Sequence, residues 1–257
     1  MAVELVHNFS LLHDDVMDGD RTRRYRPTAW SVFGVSAAIL AGDALLAAAL
    51  EVLAASGHPA ATAGVRMLGG AVQELIGGQS ADLEFERRDD VTVAECVVMA
   101  EGKTAALLGA ACALGACFGG ADTGGVASMG EFGRLVGVAF QHVDDLLGIW
   151  GDPAVTGKPV FADLRARKKS LPVVAALNSG IPAGRELAAL YRRETLSDTD
   201  LAHVAELVDA AGGRAWSQTQ ADELLAHALA QLRSAAVDSR ACAELAALAR
   251  LATHRDH

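Results

Sequence analysis

The residues best equipped for chemistry in this chain of 257 residues are Asp14, Asp15 and Asp18, in the run Leu11-Leu12-His13-Asp14-Asp15-Val16-Met17-Asp18. On a helix, Asp14 and Asp18 lie four apart and stand one above the other. Two carboxylates stacked in this way repel unless water bathes both or a cation sits between them. A solvated acidic helix face would satisfy the spacing equally well. The flanks favour the cation. Leu5, Val6, Phe9, Leu11 and Leu12 make the helix largely buried, so its carboxylates must point into a polar cavity. Arg21-Thr22-Arg23-Arg24 follows, a cationic cluster suited to phosphate oxygens.

A second acidic cluster repeats the pattern. Phe140-Gln141-His142-Val143-Asp144-Asp145-Leu146-Leu147-Gly148 again sets paired aspartates inside an apolar run of helical period, with basic residues beyond it. Carboxylates on facing helices are hard oxygen ligands of the kind Mg²⁺ uses when it also holds substrate phosphates and keeps several waters. Helix bundles build metal sites from inward-projecting carboxylates in this manner.

The elements that must position these residues read as helices throughout. Apolar residues make up 51% of the chain and aromatics only 5%, which favours an all-α protein over a β-sandwich. The length suits one large domain. A formal net charge of −10 argues against nucleic acid as a partner, since that affinity comes from Lys and Arg on phosphates. Cys96, Cys112, Cys117 and Cys242 show no metal-ligand or disulfide spacing and read as small core residues in a reducing cytoplasm. Thr104 to Ala121 is uncharged over eighteen residues. Its Gly, Ala and Cys content predicts a buried core helix in preference to a membrane span.

In chain order, Met1 to Met17 predicts one helix without an N-cap signal, and Gly19 to Thr28 a loop. Apolar helix follows over 37–55 with Asp43 as its lone charge, either solvated or in a polar pocket. Helix is expected again over 60–87, where Gly77-Gly78 implies close packing or a kink. Thr92 and Glu95 form a capping box. Lys103, just before the uncharged run, either snorkels or aims into a cavity. A long helix over 126–150 carries the second acidic motif, and 152–159 is a loop. Helices are then expected at 171–177, 183–195, 198–211, 215–236 and 240–253, with Ser197 and Asp198 supplying capping chemistry. No segment has strand period.

Taken together, these residues resemble the trans-isoprenyl diphosphate synthases, or polyprenyl synthetases, over essentially the whole chain. Asp14-Asp15-Val16-Met17-Asp18 with Arg23-Arg24 and Pro27-Thr28 is similar to the family's first aspartate-rich motif. Lys103-Thr104 resembles its KT motif, and Gly78-Gln79…Asp82 its GQ-x-x-D helix. Gln141, Asp144, Asp145, Asp152, Gly157-Lys158 and Asp163…Lys168 resemble the second motif with its lid-side loop.

The resemblance implies an isoprenoid-synthase-type helical bundle with a central cavity, acting as a homodimer on isoprenyl diphosphates in head-to-tail prenyl transfer. An allylic diphosphate loses pyrophosphate, and isopentenyl diphosphate attacks the allylic carbon and then sheds a proton. Three Mg²⁺ held by Asp14, Asp18 and Asp144 would act as Lewis acids and template. Lys103, Lys158 and Arg23 would neutralise the remaining oxygens, with Arg24 toward isopentenyl diphosphate. Thr104, Gln141 and Lys168 complete the implied substrate contacts. Apolar walls would keep water from quenching the carbocation.

The chain departs from the family pattern in three places. Gly148 stands where the second motif usually has a third Asp, and metal binding is expected to survive because the first Asp of that motif is the main ligand. Phe161 occupies a lid position that is usually small. The family's GGKxxRP segment, with the N-terminal helices that carry it, falls before residue 1, so the expectation is either a misassigned start or a chain weak in its second substrate. The competing readings are a class I terpene cyclase, which shares fold and ionisation step, and a weak subunit of a heteromeric prenyl synthase. Arg23-Arg24, Lys103-Thr104 and the intact aspartates favour the synthase. Phe9 and Ser10, five and four residues before Asp14, correspond to positions flooring the product cavity. One aromatic and one small residue there match a geranylgeranyl (C20) producer.

Overall fold

The computed structural model describes residues 1–156, 159–193, 195–234 and 238–253. The chain is an all-α bundle, as its composition predicts. Helix α1 spans Ala2–Met17, followed by α2 (Ala29–Phe33), α3 (Val35–Ala54), α4 (Ala61–Phe85) and α5 (Val93–Ala100). A single π-helical turn, Glu101–Ala105, leads into α6 (Ala106–Phe118) and α7 (Thr123–Trp150). Two short helices, α8 (Pro153–Thr156) and α9 (Ala162–Arg165), precede α10 (Leu171–Leu177), α11 (Pro182–Tyr191), α12 (Asp198–Ala210), α13 (Gly213–Ser234) and α14 (Ser239–Thr253).

Three expectations need correction, the first being the loop expected over 152–159, which contains α8, Pro153–Thr156, with 157–158 outside the described residues. The loop after α1 contains a minimal antiparallel hairpin, β1 (Thr22–Arg23) with β2 (Arg26–Pro27). Strand period is invisible over two residues, so the sequence gives no signal for it. The helix expected over 183–195 ends sooner, at Tyr191.

Capping follows the sequence closely. Thr92 and Glu95 cap each other's backbone at the start of α5, and Ser197 does so with Asp200 at α12. Thr28 precedes α2, but its hydroxyl donates to the Asp20 carbonyl at 2.7 Å and does not cap the helix.

α7 runs along α6 on one side and α13 on the other. Around α1, α3, α4 and α6 lies an apolar cluster of Val6, Phe9, Leu53, Leu68, Leu75 and Leu107. A second, around Ile149, Leu164, Val173, Leu187 and Val204, gathers α9 to α12 onto the end of α7. Two stretches, Val35–Ala54 and Val93–Phe118, are long and apolar enough to cross a membrane by length and composition. Both are working parts of the bundle: α3 packs on α1, and α6 lies between α4 and α7.

Close helix packing explains two glycines. A Cβ at Gly78 would strike the Lys103 backbone, so α4 and the π-turn approach directly through it. This is the close-packing alternative foreseen for Gly77-Gly78, and Gly77 itself meets nothing. Gly42 on α3 likewise makes room for the His13 ring, whose Nε2 lies 3.0 Å from the Ile39 carbonyl oxygen. Asp43 is exposed and sits 3.7 Å from the same His13 nitrogen.

Candidate active site

Both acidic motifs sit at the C-terminal ends of helices. Asp14 and Asp15 occupy the last turn of α1, Asp18 is its C-cap, and no basic residue lies in that turn. Asp144 and Asp145 fall in the last two turns of α7, whose final turn also has no basic residue. The negative end of a helix dipole disfavours carboxylates, so each cluster is short of positive charge.

Within each motif the two adjacent aspartates divide their work. Asp15 is buried and accepts from Arg23 Nε at 2.7 Å. Asp145 is 1% exposed and is saturated with donors: Gln141 Nε2 at 2.8 Å, Lys168 Nζ at 3.2 Å and the Leu171 N–H at 2.9 Å. Their neighbours are accessible. Asp14 is half-buried, while Asp18 and Asp144 are exposed. The sequence treats each pair as equivalent; packing buries the second member of each and leaves the first more accessible.

Asp14 and Asp18 accept no side-chain hydrogen bond among the described residues. Burial pushes the Asp14 carboxyl up to about 6, with Asp18 and Asp82 adding to the rise against Lys103 and Arg23. Asp18 is raised as well, first by burial, with Asp82, Asp20 and Glu86 adding to the rise against Lys103. This donor set suits a hard divalent cation. Three carboxylates, on Asp14, Asp18 and Asp82, act on one another with the Lys103 ammonium among them. Among the described residues, no three His, Cys, Asp or Glu side chains converge on a single ion position. Mg²⁺ takes one or two protein carboxylates and completes its shell with waters and substrate phosphates.

Asp82 is the residue that site reasoning from sequence left out. Lys103 Nζ donates to its Oδ2 at 2.5 Å across 21 residues of chain. Lys103 therefore turns onto α4 through Asp82 and does not simply snorkel to solvent. The GQ-x-x-D pattern was the available signal: Gln79 and Asp82 share a face of α4. The amide of Gln79 is buried and finds no partner among the described residues, an orphan of the kind a bound ligand satisfies.

A polar chain then joins the two halves. Thr104 Oγ1 donates to Gln141 Oε1 at 2.6 Å, and Gln141 in turn donates to Asp145. Lys168 links Asp145 to Asp163, whose carboxylate lies 3.9 Å from Nζ. Burial opposes the charge on Lys168, but Asp145, Asp163, Asp82 and Asp144 outweigh it and hold the ammonium well above its ordinary range. The π-turn places Lys103 and Thr104 together; such turns recur at functional sites.

Arg23 is engaged with Asp15, and Arg24 lies at the tip of the β1–β2 hairpin. Phe9 is buried in the α1–α3–α4–α6 cluster, its ring edge-on to His13 at 4.7 Å between centroids. Ser10 is half-buried, its hydroxyl donating to the His7 carbonyl at 2.9 Å. Lys158 lies outside the described residues.

The profile of the family described as Polyprenyl synthetase matches residues 1–208. The chain belongs to that family. A geranylgeranyl diphosphate synthase of Mycobacterium tuberculosis is 52% identical over 236 residues, covering 91% of this chain and 67% of the relative. A (2E,6E)-farnesyl diphosphate synthase of the same species is 49% identical over 253 residues, covering 97% of this chain and 70% of the relative. Among solved structures, geranylgeranyl pyrophosphate synthase from Corynebacterium glutamicum, complexed with isoprenyl diphosphate and magnesium, superposes with a TM-score of 0.90 at 31% identity, covering 99% of this chain and 77% of that one. This polyprenyl synthetase is accordingly a trans-prenyltransferase, and the synthase reading prevails over the terpene-cyclase alternative.

Proposed function

We propose that this prenyl synthase condenses isopentenyl diphosphate with an allylic diphosphate to give the C20 product, geranylgeranyl diphosphate. The observation that carries the site assignment is the pair of acidic motifs at two negative helix ends, with Lys103 and Asp82 set against the first and Lys168 against the second. Asp14, Asp18 and Asp144 are the residues that would hold Mg²⁺, three ions per site. When bound, the metal supplies Lewis-acid stabilisation of the departing diphosphate.

The remaining steps belong to the chain's own groups. Lys103 turns from Asp82 to the diphosphate oxygens, and Lys168, already fixed by Asp145, neutralises the same leaving group. The allylic C–O bond breaks with its electron pair going to pyrophosphate. The π electrons of isopentenyl diphosphate then form the new C–C bond, and the resulting cation gives its proton to an oxygen of the released pyrophosphate. Gln141 is held with its amide N–H₂ on Asp145 and its carbonyl oxygen on Thr104. Arg23 and Arg24 supply positive charge at the hairpin, with Arg24 toward isopentenyl diphosphate. Lys158 is assigned to diphosphate binding by its motif.

Phe9 and Ser10 support C20, because one large and one small side chain precede Asp14. The farnesyl-producing relative makes C15 the rival outcome. The enzyme is further read as a single-domain cytoplasmic homodimer; Val35, Leu40 and Val52 on α3 and Ile76 on α4 leave exposed apolar side chains for a second copy. Incubation with labelled isopentenyl diphosphate, an allylic primer and Mg²⁺, followed by dephosphorylation and chromatography, should show the C20 alcohol. A C15 alcohol would correct the product length, and cyclised hydrocarbon would overturn the reading. Light scattering on the purified chain checks the dimer.

A further inference from the structure

The β1–β2 hairpin turns through Arg24 and Tyr25 alone, and both have positive φ, 49° and 63°. A two-residue turn with both residues left-handed is the type I′ geometry, which Asn and Gly adopt at little cost. For Arg and Tyr it is strained, and such strain persists only where surrounding contacts fix it. The base of this hairpin is fixed. Arg23 is bound to Asp15, and Thr28 Oγ1 and Trp30 Nε1 both donate to the Asp20 carbonyl at 2.7 Å. The Arg21 guanidinium lies over the Trp30 ring, 5.5 Å from its centroid.

Burial does not hold the tip, since Tyr25 is 76% exposed. Among the described residues its anchor is the hydroxyl, which donates to the Pro153 carbonyl oxygen at 2.9 Å across 128 residues of chain. Pro153 opens α8, directly after the helix that carries the second acidic motif. The chain beyond α8 returns to α7 through the Phe161 N–H, which donates to Ile149 O at 3.3 Å. Phe161 has φ 62° and packs its ring on the Ile149–Leu164 cluster. The Tyr25–Pro153 bond therefore joins the segment leaving the first motif to the segment leaving the second.

We propose that Tyr25 is a strap: its hydroxyl ties the hairpin to α8 and closes the end of the site where the two acidic motifs meet the diphosphate. Identifying the enclosed ligand as a diphosphate rests on the prenyl-transfer reading above; the strap itself does not. A fixed base on one side and a strained, exposed turn on the other make the Tyr25–Pro153 bond the control point for exchange with solvent.

The test compares the wild-type chain with Tyr25→Phe, which removes only the hydroxyl, and Tyr25→Gly, which also relieves the strain at residue 25. Amide hydrogen exchange over residues 151–156 is measured without ligand, and binding of inorganic pyrophosphate with Mg²⁺ by calorimetry. Losing one such hydrogen bond should speed exchange in this segment about three- to tenfold and weaken pyrophosphate by a similar factor in both variants. The KM for the allylic diphosphate should rise while kcat holds or increases. Unchanged exchange and unchanged pyrophosphate affinity in Tyr25→Phe would overturn the strap, as would wild-type exchange in Tyr25→Gly. A wild-type chain that binds no pyrophosphate would overturn the prenyl-transfer reading instead, and the ligand-free exchange would then decide the strap alone.

Discussion

The carboxylate of Asp163 occupies the space that a side chain at Gly148 would fill: a Cβ there would overlap all three of its carboxyl atoms. The departure of the second motif from a third aspartate thus has a physical reason. α9 docks on α7 through Asp163, which stands beside Lys168 and is itself buried.

Gly148→Ala should force α9 off α7, at about 1–3 kcal/mol of stability by overpacking, with turnover falling about tenfold as Lys168 loses its fixed place. Gly148→Asp should do worse, because it adds a third carboxylate beside Asp163 and Asp145 around one ammonium. Thermal melts and steady-state kinetics check both. Wild-type behaviour in Gly148→Ala would show that α9 docks without this contact.

The adjacent aspartates of the second motif should separate cleanly. Asp144→Ala removes an exposed carboxylate, so the melting temperature should hold while Mg²⁺-dependent turnover drops by orders of magnitude. Asp145→Ala leaves Lys168 and the Leu171 N–H unpartnered at a buried site and should cost about 3–5 kcal/mol. Parallel urea titrations and product assays measure the split. Matching stability losses would remove the division of labour.

Asp14 carries a pH signature. Its carboxyl, raised to about 6 from an ordinary value of 3.8 mainly by burial, holds a proton more tightly in the folded chain than in the unfolded one. The stability it contributes is therefore fully present below pH 3.8 and is lost as pH climbs to about 6. In metal-free protein above pH 6, Asp14→Asn should be more stable than wild type by roughly 1–3 kcal/mol, with the gain gone near pH 4. The same variant should lose Mg²⁺-dependent pyrophosphate binding. Calorimetric melts across that range, with and without Mg²⁺, test it.

His142 works in the opposite sense. It is 1% exposed, its Nδ1 lies 2.8 Å from the Ser217 hydroxyl, and burial holds its imidazole down at about 4. The unfolded chain takes up the proton first, so stability tied to this group is present above pH 6.5 and falls away toward pH 4. The loss should reach roughly 1–3 kcal/mol, and His142→Gln should flatten it. Identical acid slopes in the two proteins would place the acid sensitivity elsewhere.

Phe9 should set product length. It lies five residues before Asp14, about 7.5 Å back along α1 and rotated by about 140°. Phe9→Ala should shift the main product from C20 toward C25, at a cost of about 3–5 kcal/mol if the space stays empty. Ser10→Phe should shorten it toward C15. Chromatography of the dephosphorylated alcohols reads both, and unchanged profiles would return Phe9 to an ordinary core role.

The sequence by itself determined whatever depends on neighbours within one helix. The stacking of Asp14 on Asp18, the capping pair of Thr92 with Glu95, and the apolar stripes of α1 and α7 are set by spacings of three and four residues, so they are legible without coordinates. Tertiary structure decided which carboxylate does what. Asp144 and Asp145 are chemically identical, and only the packing of α7 against α10 and the Lys168 segment buries one and exposes the other. Asp82 with Lys103, Thr104 with Gln141, Gly148 with Asp163 and Tyr25 with Pro153 all join separate elements. Such partners are fixed by how helices cross and how closely backbones approach, which no local period encodes.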